Sequence, residues 1–188
     1  EAGRGSVSSA GAYRTARAAA IGPPGGVIDV GVGSGAAAQR GFAKGAPRAS
    51  NHGSAVVSLL SGAGVRSVRV ADVYGADPAG GNALAIAQAL GWLAQGGAKV
   101  VTISLVGPSN PVLARAVAAA QQRGVVVVAA VGNDGPAAPP AYPASYPGVV
   151  AVTGVDRRDR PLIEAGRALH LDYAAPGADL FAANATGA

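Results

Sequence analysis

The sequence predicts an α/β protein: a three-layer α/β/α arrangement around a mostly parallel central sheet. Three observations carry that expectation. Short, continuous apolar runs (VIDV, KVVTISLV, GVVVVAAVG, GVVAVTGV) alternate with amphipathic stretches of helical length. The apolar runs are unbroken rather than alternating, as expected of strands buried on both faces. At 188 residues, 49% hydrophobic and 13% charged, the chain is long and apolar enough to bury a core.

Residues 1 to 25 are read as a leader or linker segment ending in the breaker GPPGG, and residues 26 to 188 as the domain. VIDV is the first strand. Ser50 and Asn51 offer caps for a helix over HGSAVVSLLSG, which stops at Gly62 or Gly64. VRSVRVADVY alternates and is rich in β-formers, so it is a strand. GADPAGG is a turn-forming loop, and NALAIAQALGWLAQ a helix closed by Gly96 and Gly97. KVVTISLV is a buried strand. In PSNPVLARAVAAAQQRG, Asn110 suits the cap, Pro111 the first helical position and Gly124 the exit. GVVVVAAVG and GVVAVTGV are further strands. In such sheets, sites form outside the carboxyl ends of the strands. Asp29, Ser104 to Gly107, and Gly132 with Asn133 all fall there.

Composition removes several function classes. Without cysteine there is no disulfide, thiolate metal site or cysteine nucleophile. No apolar run approaches a membrane span. The first 70 residues carry a net charge of +6, but their cations are scattered singly and aromatics are only 4% of the chain. That pattern predicts a solvated basic face and no nucleic-acid partner. The ten acids are dispersed with no ligand loop, so no metal is expected.

The stretch VIDVGVGSGA admits two chemistries. From Gly31 its glycines fit a dinucleotide-binding turn, but that site also needs a helix starting there and an acid about twenty residues on. The next segment is broken by Gly41, Gly45 and Pro47, and no acid occurs between Asp29 and Asp72. No cofactor is therefore expected. From Asp29 the same stretch is a carboxylate at a strand end. His52 follows in the first turn of a helix, and Asn133 follows a buried strand. A carboxylate, an imidazole with a pKa near neutrality and an amide donor are parts of a hydrolase site. Each also has a plainer role, in a turn or at a helix start.

VIDVGV resembles the aspartate motif I-D-[ST]-G of the subtilases, the subtilisin-like serine proteases. HGSAVVSLLSG resembles H-G-T-x-V-A, VTISLVGP resembles S-L-G-G-P, and VVVVAAVGNDG resembles A-A-G-N-[ED]-G. VYGADPAGG, YPASYPGVVAVTGVD and LDYAAPGADL resemble three more blocks of that family, all in order between residues 27 and 180. The resemblance implies a serine endopeptidase acting on a polypeptide, of an exported kind. It implies that Asp29 orients His52, that His52 is the general base and then acid, and that Asn133 donates to the oxyanion. Ser104, Leu105 and Val106, leading into Gly107, would pair with substrate as an added strand. Ala130 and Gly132 would wall the primary specificity pocket, Ala141 and Tyr142 would lie near its floor, and Gly80 in the opposing edge.

The chain departs from the pattern at four places. Val30 follows the aspartate where serine or threonine is usual, Ser54 replaces threonine, and Val106 stands where glycine is usual. Most importantly, no serine follows Ser145, whereas the nucleophile motif G-T-S-x-A-x-P belongs downstream of A-P-G. The expectation is a domain incomplete at its C-terminus and inactive alone. A non-catalytic scaffold derived from the family is the alternative.

Overall fold

The structure, a computed structural model, describes residues 22–77 and 80–187. Most of the segment read as a leader, residues 1 to 21, lies outside it, as do Pro78 and Ala79 of the GADPAGG loop.

Seven strands form one sheet: β1 (Pro24–Asp29), β2 (Ala38–Gly41), β3 (Arg66–Asp72), β4 (Val100–Ile103), β5 (Val126–Ala130), β6 (Val150–Val155) and β7 (Tyr173–Pro176). Their order across the sheet is β2-β3-β1-β4-β5-β6-β7, and every strand pair is parallel. The chain winds outward from β1 in both directions. The crevice at this topological switch therefore lies beyond the carboxyl ends of β1 and β4.

The three described helices start where their caps dictate. In α1 (Asn51–Gly62) the Ser50 hydroxyl accepts from His52 N. In α2 (Ala83–Gln95) the Asn82 side chain accepts from Ala85 N. In α3 (Pro111–Gln122) the Asn110 side chain accepts from both Val112 N and Leu113 N, with proline at the first position. The Tyr146 hydroxyl also accepts from Asn110 N and donates to Asn110 O, at 2.9 and 3.0 Å, tying this start to the loop after β5.

Helices α2 and α3 cover one face. The row Ala71, Ile28, Ile103, Ala129 and Ala151 beneath them is fully buried. Helix α1 covers the other face only over β1 and β3, where Val27, Val68 and Val70 pack with Val57. Further along that face Thr102, Val128, Val150 and Val152 are half-buried, and Val126 is 47% exposed. The three-layer α/β/α arrangement expected from the sequence is present. Among the described residues, the second helical layer reaches over β1 and β3, with no helix over β4 to β6.

Three details differ from the sequence reading. Strand β1 starts at Pro24, inside the stretch read as a breaker. Strand β4 ends at Ile103 rather than running to Val106, because Gly107 is drawn into a two-hydrogen-bond bridge with Tyr142. Strands β2 and β7 were not expected. Each is a four-residue edge strand without an apolar alternation, built by pairing with one neighbour.

Candidate active site

The carboxyl end of β1 delivers Asp29 onto the face that α1 covers. Its side chain is 3% exposed, and Oδ1 accepts from Val30 N at 2.7 Å. The same Oδ1 lies 2.9 Å from Nδ1 of His52, in the first turn of α1. Oδ2 is buried with no hydrogen-bond partner among the described residues. The valine that follows Asp29 has no hydroxyl to offer it.

Two glycines make this approach possible. A Cβ on Gly53 would collide with the carbonyl oxygen of Val30 and lie 2.7 Å from that of Gly31, and one on Gly31 would lie 2.6 Å from Arg48 O. The helix start thus rests directly on the main chain of the turn after β1. Ser50 N donates to Gly31 O at 3.0 Å, and Gly33 N to the Ser54 hydroxyl at 3.3 Å, completing the seam.

The ring of His52 is 62% exposed, with Nδ1 occupied by Asp29. Its pKa is raised above the ordinary 6.5. The hydrogen bond to Asp29 is the main cause; partial burial opposes it and the carboxylate's charge adds to it. A raised histidine stabilises the fold fully below pH 6.5, and that contribution is lost as the pH rises through the raised value. Proton NMR titration of His52 should give a midpoint above 6.5. Asp29→Asn should bring the midpoint down. So should Gly53→Ala, by pushing the helix start away from β1. A wild-type midpoint at or below the ordinary value would show that the pair does not form.

A second carboxylate, Asp72, is paired across the sheet with Asp29 and is fully buried. Its Oδ2 accepts from Arg48 N at 2.7 Å, and Oδ1 accepts from Tyr74 N and Gly75 N at 2.9 and 2.8 Å. It anchors the loop that leads into α1, and with it the approach of His52. Sequence reasoning missed it. The signal was there in ADVYG: an aspartate two residues before a Tyr-Gly turn, suited to accept from the turn's amides.

Asn133 lies three residues beyond β5, at the same edge of the sheet, with β4 between its strand and that of Asp29. It is exposed and follows Gly132, whose φ is +81°. No hydrogen bond joins it to the dyad. Ser104 N donates to Ile28 O at 3.3 Å, but Leu105 and Val106 make no backbone hydrogen bond with the described residues. Beside this segment is a cavity of about 230 Å³, with Gly81, Asn82 and Ile86 on one side and Leu105 to Gly107 on the other. Tyr142 and Leu113 also line it; Gly80 itself does not, being packed against Tyr74. Ala130 is exposed at the end of β5, and Ala141 is buried, its N donating to Arg167 O.

The fold and the motifs have parallels among known proteins. Thermitase of Thermoactinomyces vulgaris is 36% identical over 132 residues, covering 70% of this chain and 46% of thermitase. Subtilisin Savinase of Lederbergia lenta is 34% identical over 131 residues, covering 69% and 47%. The chain spans about half the length of each relative. Among solved structures, the prenylagaramide maturation protease PagA superposes with a TM-score of 0.75 at 20% identity, over 94% of this chain and 71% of that one. A cold-adapted subtilisin-like serine proteinase gives 0.74 at 23% identity, over 90% and 69%. These two show the shared fold. Residues 38–186 match the sequence model of the Subtilase family, so the chain belongs to the subtilases.

Proposed function

We propose that this chain carries the N-terminal part of the catalytic domain of a serine endopeptidase, with the stretch ahead of β1 a leader or linker, and that the nucleophile is carried by residues following Ala188. The observation that carries this reading is the 2.9 Å hydrogen bond between buried Asp29 and exposed His52. Asp29, as acceptor, holds the proton on Nδ1. That leaves Nε2 with its lone pair free to take a proton from an attacking hydroxyl and return it to the leaving amine. Asp29 then stabilises the imidazolium. Asn133 supplies an amide donor to the oxyanion.

Two features support a nucleophile arriving from downstream. Ala183 N donates to the Ser58 hydroxyl and Ala185 N to the side chain of Asn51, so the last described residues run along α1 to the residue before His52. The bare face over β4 to β6 suits a helix following such a serine. The substrate is a polypeptide, lying against the free backbone of Leu105 and Val106 as an added strand. The adjoining cavity has room for one apolar side chain. Members of this family are typically secreted, and we place this protein outside the cytoplasm as well. Among the described residues, no helix is long and apolar enough to cross a membrane.

A fluorophosphonate probe tests the reading. The 188-residue chain should remain unlabelled, and the natural chain extended through a downstream Gly-Thr-Ser should be labelled at that serine alone. Labelling of the shorter chain at a single serine, or none of the longer one, would overturn the assignment.

A further inference from the structure

Strands β4 and β5 are neighbours up to the pair Ile103 and Ala129, and then part. Beyond that point Gly107 bonds to Tyr142, while Val131 N donates to Val152 O at 3.1 Å and stays with β6. Two parallel strands that diverge at their carboxyl ends leave a crevice. One wall is Ser104 to Val106, the other Ala130 to Gly132. Asn133 stands at its mouth.

The crevice is filled from within. A Cβ placed on Gly132 would lie 2.9 and 3.0 Å from the two methyls of Val106, and 3.5 Å from its Cβ. The isopropyl group of Val106 therefore spans from one wall to the main chain of the other. Neither wall is free to retreat. Gly107 is held to Tyr142 by hydrogen bonds of 2.9 and 3.0 Å, and Gly132 O accepts from Gly166 N at 2.8 Å. A valine has one side-chain torsion and strong rotamer preferences, so its methyls do not swing clear. Ala141, near the floor, is only 8% exposed.

We propose that Val106 is a specificity-determining residue that closes this crevice, restricting the residue before the scissile bond to glycine or alanine. The inference rests on the protease reading above. With Asn133 binding the oxyanion and Leu105 and Val106 pairing with substrate, the residue whose carbonyl is attacked sits over the Val106–Gly132 contact. A hydrogen or a methyl fits against the valine surface. A leucine or phenylalanine side chain meets the two methyls instead.

The test uses the natural protein, including its nucleophile, and peptides differing only in the residue before the cleaved bond. Wild type should show a kcat/KM for alanine at least about tenfold above that for phenylalanine, the scale on which a few carbon atoms discriminate in an apolar site. Val106→Gly should move that ratio at least about tenfold toward phenylalanine. Val106→Ala should fall between, and guards against a glycine variant that folds poorly. Wild type cleaving after phenylalanine as readily as after alanine overturns the proposal. So does a small-residue preference that persists unchanged in both variants. A protein that takes no fluorophosphonate label fails at the protease reading instead, and this inference falls with it.

Discussion

His52→Ala in the serine-containing protein will lower kcat/KM by about 10⁴- to 10⁶-fold, a scale set by triad enzymes including a subtilisin. The size follows from the geometry. The nucleophile needs a base already in place as it attacks, and the imidazole offered by Asp29 is the group positioned to serve. Asp29→Ala should cost less than His52→Ala, because an unsupported imidazole still binds protons. Steady-state hydrolysis of one good peptide, with folding checked by circular dichroism, decides the matter. A loss below about tenfold for His52→Ala would remove the imidazole from the chemistry.

Asp72→Ala will destabilise the fold by about 3–5 kcal/mol. Three backbone N–H groups lose a fully buried acceptor, and each unsatisfied donor costs about 1–3 kcal/mol before water or relaxation recovers part of it. Against a total of about 5–15 kcal/mol for a domain, that is enough to unfold a marginal one. Urea denaturation of wild type and variant measures it. A midpoint shift worth under about 1 kcal/mol would show that the Arg48 and Tyr74–Gly75 amides find other partners. Because the same carboxylate holds the loop before α1, the His52 titration should also move in whatever fraction remains folded.

Much of the fold was legible because local chemistry and tertiary structure agreed. Ser50, Asn82 and Asn110 cap the helices they announce, with Pro111 and the glycines at 64, 97 and 124 marking the other boundaries. The central strands announced themselves as short, unbroken apolar runs. The edge strands β2 and β7 did not, since their existence depends on a neighbour's hydrogen bonds rather than on their own composition. The early end of β4 was equally hidden. It is decided by Tyr142, thirty-five residues past Gly107, and no local signal encodes a bridge of that kind. At the site, Asp29 and His52 were legible as motif residues. The shared supports were not: Asp72 works through backbone amides, and the contact between Val106 and Gly132 joins two strand ends 26 residues apart.

The seam at Gly31 and Gly53 has a consequence for how this kind of site can be altered. The spacing between acid and imidazole is set by main chain lying on main chain, not by the interlocking of side chains. Core substitutions such as Val57→Ala can soften the domain and still leave the two groups in register. A single added methyl at position 53 cannot be absorbed in that way. The unit that could be moved into another scaffold is therefore not a pair of residues. It is two short backbone segments, 29–33 and 48–54, carried together with the glycines that let them touch.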